Sequence, residues 1–101
     1  MLMPSQLKDA EHRDVKTAVD ILKEYGAKRI FLFGSVAKSK HRSHSDIDLA
    51  CEGISPDRFF KVLGELLSTT GGSIDLVDIK DVKDTLRKRI EREAILIYEA
   101  K

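Results

Sequence analysis

Two runs rich in strand-forming residues, RIFLF at Arg29–Phe33 and SDIDLACE at Ser45–Glu52, are separated only by a glycine-led loop from Gly34 to His44. That spacing constrains the fold more than any other feature. Parallel neighbours need a crossover connection of a dozen or more residues, usually a helix, whereas antiparallel neighbours can be joined by a turn or loop. The loop is too short for a full-length crossover helix, so a doubly wound parallel sheet is disfavoured. A small mixed sheet with helices packed on one face, an α+β arrangement, is expected instead.

The remaining segments fit that frame. Between Leu7 and Tyr25, Val15, Val19, Leu22 and Tyr25 recur at helical spacing, and Gly26 stands where a helix C-terminus favours a left-handed residue. ISPDRFFKVLGELLSTTGG carries helix signals at both ends: Ser55 as N-cap, Pro56 in the first turn, Asp57 at the positive end of the dipole, and Gly71-Gly72 as the stop. Phe59, Leu63, Leu66 and Leu67 are its expected buried stripe. SIDLVDI reads as a third strand. Asp81 is expected to cap a last helix running to about Glu93, with Val82, Leu86 and Ile90 inward, and AILIYE to close the sheet as an edge strand. The predicted order is helix, strand, strand, helix, strand, helix, strand.

A chain of 101 residues suffices for one domain with a modest core, spanning 1–101, and is too short for two. Charged residues make up 35% and apolar ones 42%, a globular balance, and a net charge of +1 argues against a general nucleic-acid binder. Yet Lys28, Arg29, Lys38, Lys40 and Arg42 fall in a stretch, Lys28 to Ser45, that holds no acid. The single cysteine, Cys51, excludes an intramolecular disulfide. With neither a signal-peptide pattern nor an apolar run of membrane-spanning length, a cytoplasmic protein without a membrane partner is expected.

The chemistry concentrates around the loop. Asp46 and Asp48 alternate on a strand, so both carboxylates leave one face, with Cα atoms about 6.6 Å apart. Carboxylates this close repel unless a cation lies between them, and hard oxygen ligands at this spacing suit Mg²⁺, which completes its shell with water and phosphate oxygens. Asp75 or Asp78 on the third strand can add a further ligand; their spacing puts them on opposite faces of a regular strand. Asp75 is the one that joins if Ile74 and Leu76 face the core, and a bulge would substitute Asp78. A metal-borne triphosphate would account for the basic loop: Gly34 admits close backbone approach, Ser35 can donate a hydrogen bond, and Lys38, Lys40 and Arg42 supply charge. A P-loop is excluded, because Ser39 occupies the second glycine position and Lys40 is followed by His41. His41 and His44 lack the third ligand that zinc needs and read as a solvated loop, while Cys51 shares the core parity of Ile47 and Leu49.

GSVAKSKHRSHSDIDL, followed by the acid of IDLVDI and the closing RKRIEREAILIYE, resembles the DNA polymerase β-like nucleotidyltransferases, and most closely their shortest members, the minimal nucleotidyltransferases. The resemblance implies that fold over roughly residues 15–99. It implies that Gly34 and Ser35, with Lys38 and Ser45, contact the nucleotide. Asp46, Asp48 and Asp75 would be the catalytic residues and would ligate two Mg²⁺ ions. The implied reaction transfers a nucleotide, AMP from ATP, to an acceptor hydroxyl and releases pyrophosphate. Lys38 and Ser39 depart from the Arg-Gly common in small members; lysine keeps the charge but loses the planar two-pronged grip on phosphate.

Larger enzymes of the superfamily hold the acceptor on a second domain, for which this chain has no residues left. The acceptor pocket must therefore come from a second subunit, or the acceptor is itself a protein. The resemblance implies a HEPN-type toxin as partner, with this chain as antitoxin and protein adenylyltransferase. Two alternatives stand beside it: neutralisation of the toxin by binding alone, and nucleotide transfer to a small molecule in a cleft between subunits. A homodimer and a hetero-oligomer both remain open.

Overall fold

A computed structural model describes residue 4 and residues 7–34 and 47–101. Helix α1 spans Asp9–Glu24, strand β1 Arg29–Phe33, strand β2 Ile47–Glu52, helix α2 Pro56–Thr70 and strand β3 Ile74–Asp78. A 3-10 turn at Ile79–Asp81, helix α3 at Asp84–Glu93 and strand β4 at Ile95–Glu99 complete the described chain. The strands form one sheet in the order β3-β2-β1-β4. β1 pairs antiparallel with β2 and with β4, whereas β2 and β3 are parallel and joined through α2. The mixed α+β sheet expected from the loop length is the one observed.

Local chemistry sets the helix ends. The Lys8 N–H donates to Glu11 Oε1 at 2.8 Å, satisfying an amide at the start of α1, and Gly26 leaves the helix at φ 94°. In α2, Pro56 occupies the first turn, where its missing N–H costs no hydrogen bond, and the Arg58 and Phe59 amides bond Ser55 O. Gly71, at φ 66°, closes the helix by donating to Leu67 O at 3.1 Å.

The sheet is apolar on both faces. Ile30, Leu32, Ile47, Leu49, Cys51, Leu76 and Ile97 pack with Val15, Val19 and Leu22 of α1 and Val62 and Leu66 of α2. Each such side chain contributes about 1.5–3 kcal/mol on full burial. On the second face, Phe33 and Ala50 join Ile90, with Phe31, Val77 and Leu86 packed against them. Helices on one face thus describes α1 and α2, while α3 covers part of the other.

Two local expectations are corrected. The inward residues of α2 are Phe59, Val62 and Leu66, whereas Leu63 and Leu67 are 36% and 65% exposed. Each lies one residue beyond a buried position, about 100° further round the helix, and the sheet accepts only the narrower stripe. Asp81 caps no helix. It ends the 3-10 turn, Val82 is extended, and Lys83 takes the cap position of α3. The turn is organised instead by Asp78, whose carboxylate accepts from the Lys80 amide at 3.1 Å. Arg87 Nη2 donates to the carbonyls of Ile79 and Lys80, also at 3.1 Å.

Candidate active site

The C-terminus of β1 and the N-termini of β2 and β3 meet at one end of the sheet. There Phe33 pairs with Asp48 across β1 and β2, and Asp48 pairs with Asp75 across the parallel β2 and β3. Side chains alternate along a strand, and the neighbours of both acids (Ile47, Leu49, Ile74, Leu76) belong to the first-face core. Asp48 and Asp75 therefore leave the second face side by side, from Cα atoms about 4.8 Å apart, the usual spacing of neighbouring strands. Asp48 is half-buried and Asp75 exposed.

This end of the sheet is tied to the helical layer. The Ile47 amide donates to Ser73 O at 2.9 Å, and Ser73 Oγ donates to Asp14 Oδ2 on α1 at 2.8 Å. β2 and β3 are thereby fixed to each other and to α1 just ahead of their acids, one residue before Asp48 and two before Asp75.

Gly34 lies directly against Asp48. Its φ is 78°, a conformation that disfavours residues with a Cβ, and an added Cβ would overlap Asp48 Oδ2 and stand 3.1 Å from Cγ. The glycine thus does more than admit a ligand, as the sequence suggests; its missing side chain is the space that the carboxylate occupies. The signal for this contact is register, since Gly34 follows the residue paired with Asp48, and register is not written in one strand alone.

The structure brings together Gly34, Asp48 and Asp75. Asp46, Ser35, Lys38 and Ser45, with His41 and His44, lie outside the described residues. Among the described residues no three His, Cys, Asp or Glu side chains converge as a metal site; Asp48 and Asp75 are two carboxylates of an expected three. Asp78 is 5% exposed, shares the parity of Leu76 and caps the turn, so it does not face Asp48. Cys51, paired in register with Asp78, is buried in the first-face core. Burial foremost, and then the charge of Asp78, pushes its thiol up to about 12, which makes it a packing residue without nucleophilic character. Among the described residues no helix is long and apolar enough to cross a membrane.

Comparison with known proteins gives a consistent result. The family model for polymerase beta nucleotidyltransferases matches residues 16–101. Two Methanocaldococcus jannaschii proteins, each named "putative protein adenylyltransferase", are similar in sequence. MJ0128 is 35% identical over 92% of this chain and 96% of its own length, and MJ0435 is 31% identical over 76% and 86%. A crystal structure of a toxin–antitoxin with AMP-PNP superposes with a TM-score of 0.70 at 20% identity, covering 87% of this chain and 74% of the other. A tri-AMPylated Shewanella oneidensis HEPN toxin in complex with MNT antitoxin gives a TM-score of 0.64 at 19% identity, over 87% and 71%. These two structures share the fold.

Proposed function

The chain belongs to the polymerase beta nucleotidyltransferase family, and from that premise we propose that it is a Mg²⁺-dependent protein adenylyltransferase acting as the antitoxin of a HEPN-type toxin. The observation that carries the reading is the register of Asp48 opposite Asp75 with Gly34 seated on Asp48. Two hard carboxylates on one face, with space kept for one of them by a glycine, fit a divalent cation that prefers oxygen ligands. Asp46, Asp48 and Asp75 would hold two Mg²⁺ ions, which when bound neutralise charge on the attacking and leaving oxygens of an in-line displacement.

The chain's own residues have separate tasks. Gly34, Ser35, Lys38 and Ser45 would orient the triphosphate of ATP. Asp75, exposed at the rim, would accept the proton of an incoming hydroxyl. That hydroxyl oxygen bonds the α-phosphorus, the bond to the β-phosphate bridge breaks, and pyrophosphate leaves. Catalysis here is chiefly positioning and charge neutralisation. The protein acceptor and the HEPN partner are supported by the names of the similar proteins and by the complexes that share the fold.

The test is transfer of label from ATP radioactive at the α-phosphate to a co-expressed HEPN partner, read on a denaturing gel. Label that disappears in Asp48→Asn and Asp75→Asn supports the reading; label retained in both refutes it. A second reading draws on Lys38 and Ser39, which depart from the family pattern within the phosphate loop. It holds that neutralisation is by contact alone, and it requires the Asp48→Asn/Asp75→Asn protein to silence the toxin as fully as the parent.

A further inference from the structure

Three of the four exposed large apolar side chains among the described residues lie on one helix: Phe60, 77% exposed, Leu63 and Leu67. With Gly64 they occupy about 100° of arc on α2, turned away from the Val62–Leu66 line that faces the sheet. No described residue lies within 4 Å of a Cβ added to Gly64, so this glycine opens a flat gap in the stripe that none of the described residues fills. A mid-helix glycine weakens a helix, and no contact among the described residues requires it.

We propose that this stripe is a twofold interface with a second copy of the same chain, α2 packing antiparallel on α2 about a point between Leu63 and Gly64. A twofold interface must complement itself. Reflection through that point sets Phe60 against the other copy's Leu67 and Leu63 into the gap at the other copy's Gly64, large against small at the centre. The charges obey the same reflection. Lys61 and Glu65 stand on one flank of the stripe, and the twofold brings Lys61 of each copy beside Glu65 of the other. Lys61 makes no ion pair with the described residues, and Glu65 uses Oε1 to accept from Tyr25 Oη at 2.7 Å, which leaves Oε2 for a partner.

Placement favours a second copy over a toxin on this surface. An acceptor must reach Asp48 and Asp75 on the second sheet face, while α2 lies over the first, so pairing through α2 leaves both acids open. One helix pair buries a small area for a stable dimer, so association is weak and concentration-dependent. The self-complementary stripe stands without adenylyl transfer, whereas the choice of a second copy over a toxin rests on that proposed function.

Sedimentation velocity of the full chain, without any partner, tests it. The parent is expected to shift from monomer to dimer as concentration rises. Phe60→Glu and Leu67→Glu should each weaken the dimer about tenfold or more, with unchanged circular dichroism, as for truncation of a central anchor. Lys61→Glu and Glu65→Lys should each weaken it about two- to fivefold per pair, and a mixture of these two variants should restore it by opposite charges meeting again. A parent that stays monomeric throughout overturns the proposal, as does a mixture that restores nothing. Loss of binding to a HEPN partner in Phe60→Glu, with a monomeric parent, would assign the stripe to that partner and also overturn it.

Discussion

Replacing Gly34 by alanine separates two costs that usually travel together. The first is backbone strain: at φ 78° an L-residue sits in the left-handed region, at roughly 1–2 kcal/mol. The second is specific to the site, because the new methyl would overlap Asp48 Oδ2 and press on Cγ at 3.1 Å and Cβ at 3.3 Å. The obstructed atoms belong to the end of a side chain, so the carboxylate swings aside and the backbone stays. Stability should fall by about 1–3 kcal/mol, within the range of single strained positions. If Asp48 holds Mg²⁺ as proposed, its displacement should cost on the order of 10–100-fold in Mg²⁺ affinity, the effect typical of disturbing a group that orients a metal ligand. Gly26 supplies the control: its φ is 94°, and no described residue lies within 4 Å of an added Cβ, so Gly26→Ala carries the strain without the collision. Urea unfolding and calorimetric Mg²⁺ titration of both variants make the comparison. Gly34→Ala binding Mg²⁺ as tightly as the parent would refute the reasoning, and so would an equal loss in Gly26→Ala.

Four further outcomes follow from the geometry. Asp75→Asn should lower label transfer by about 10²–10⁴-fold, the usual contribution of a positioned base, with little change in unfolding free energy. Asp78→Asn, which keeps an oxygen for the Lys80 amide, should transfer normally; a loss in Asp78→Asn alone would move the site to the other face. Cys51 holds its proton in the fold up to about pH 12 but ionises near pH 9 when exposed, so stability is intact below pH 9 and declines as pH rises towards 12. Unfolding across that range should show a slope that flattens in Cys51→Ala. Gly53→Ala meets the Lys28 backbone nitrogen at 2.9 Å, an atom already bonded to Glu52 O, at φ 103°. Strain and collision together should destabilise by about 2–4 kcal/mol without altering Mg²⁺ affinity, as melting and calorimetry can check.

Much of the fold was legible because its signals are local. Alternation marks β2 and β3, the Ser55-Pro56 start and Gly71 stop frame α2, and loop length disfavours a full-length crossover between β1 and β2, which pair antiparallel. What was not legible depends on a neighbour. Both Leu63 and Val62 sit on apolar arcs of α2, and only the sheet decides which turns inward. Asp81 looks like a cap because Asp is a good one, but Asp78 and Arg87 tie the preceding residues into a turn and delay the helix to Asp84. At the site, the choice of Asp75 over Asp78 follows from strand parity. The contact of Gly34 with Asp48 required the register of two strands.

Topology explains why these residues meet. β1 and β2 are antiparallel, so the end of one lies beside the start of the other; β2 and β3 are parallel, so their starts coincide. A mixed sheet of this order therefore collects one C-terminus and two N-termini at a single end, and each brings one element: Gly34 from β1, Asp48 from β2, Asp75 from β3. The arrangement is sensitive, because slipping β3 by one residue would turn Asp75 into the first-face core and Leu76 out beside Asp48. Burial of Leu76 and Leu49, and the Ile47–Ser73–Asp14 connection, oppose that slip. The apolar core on one face of the sheet thus holds the acids in place on the other.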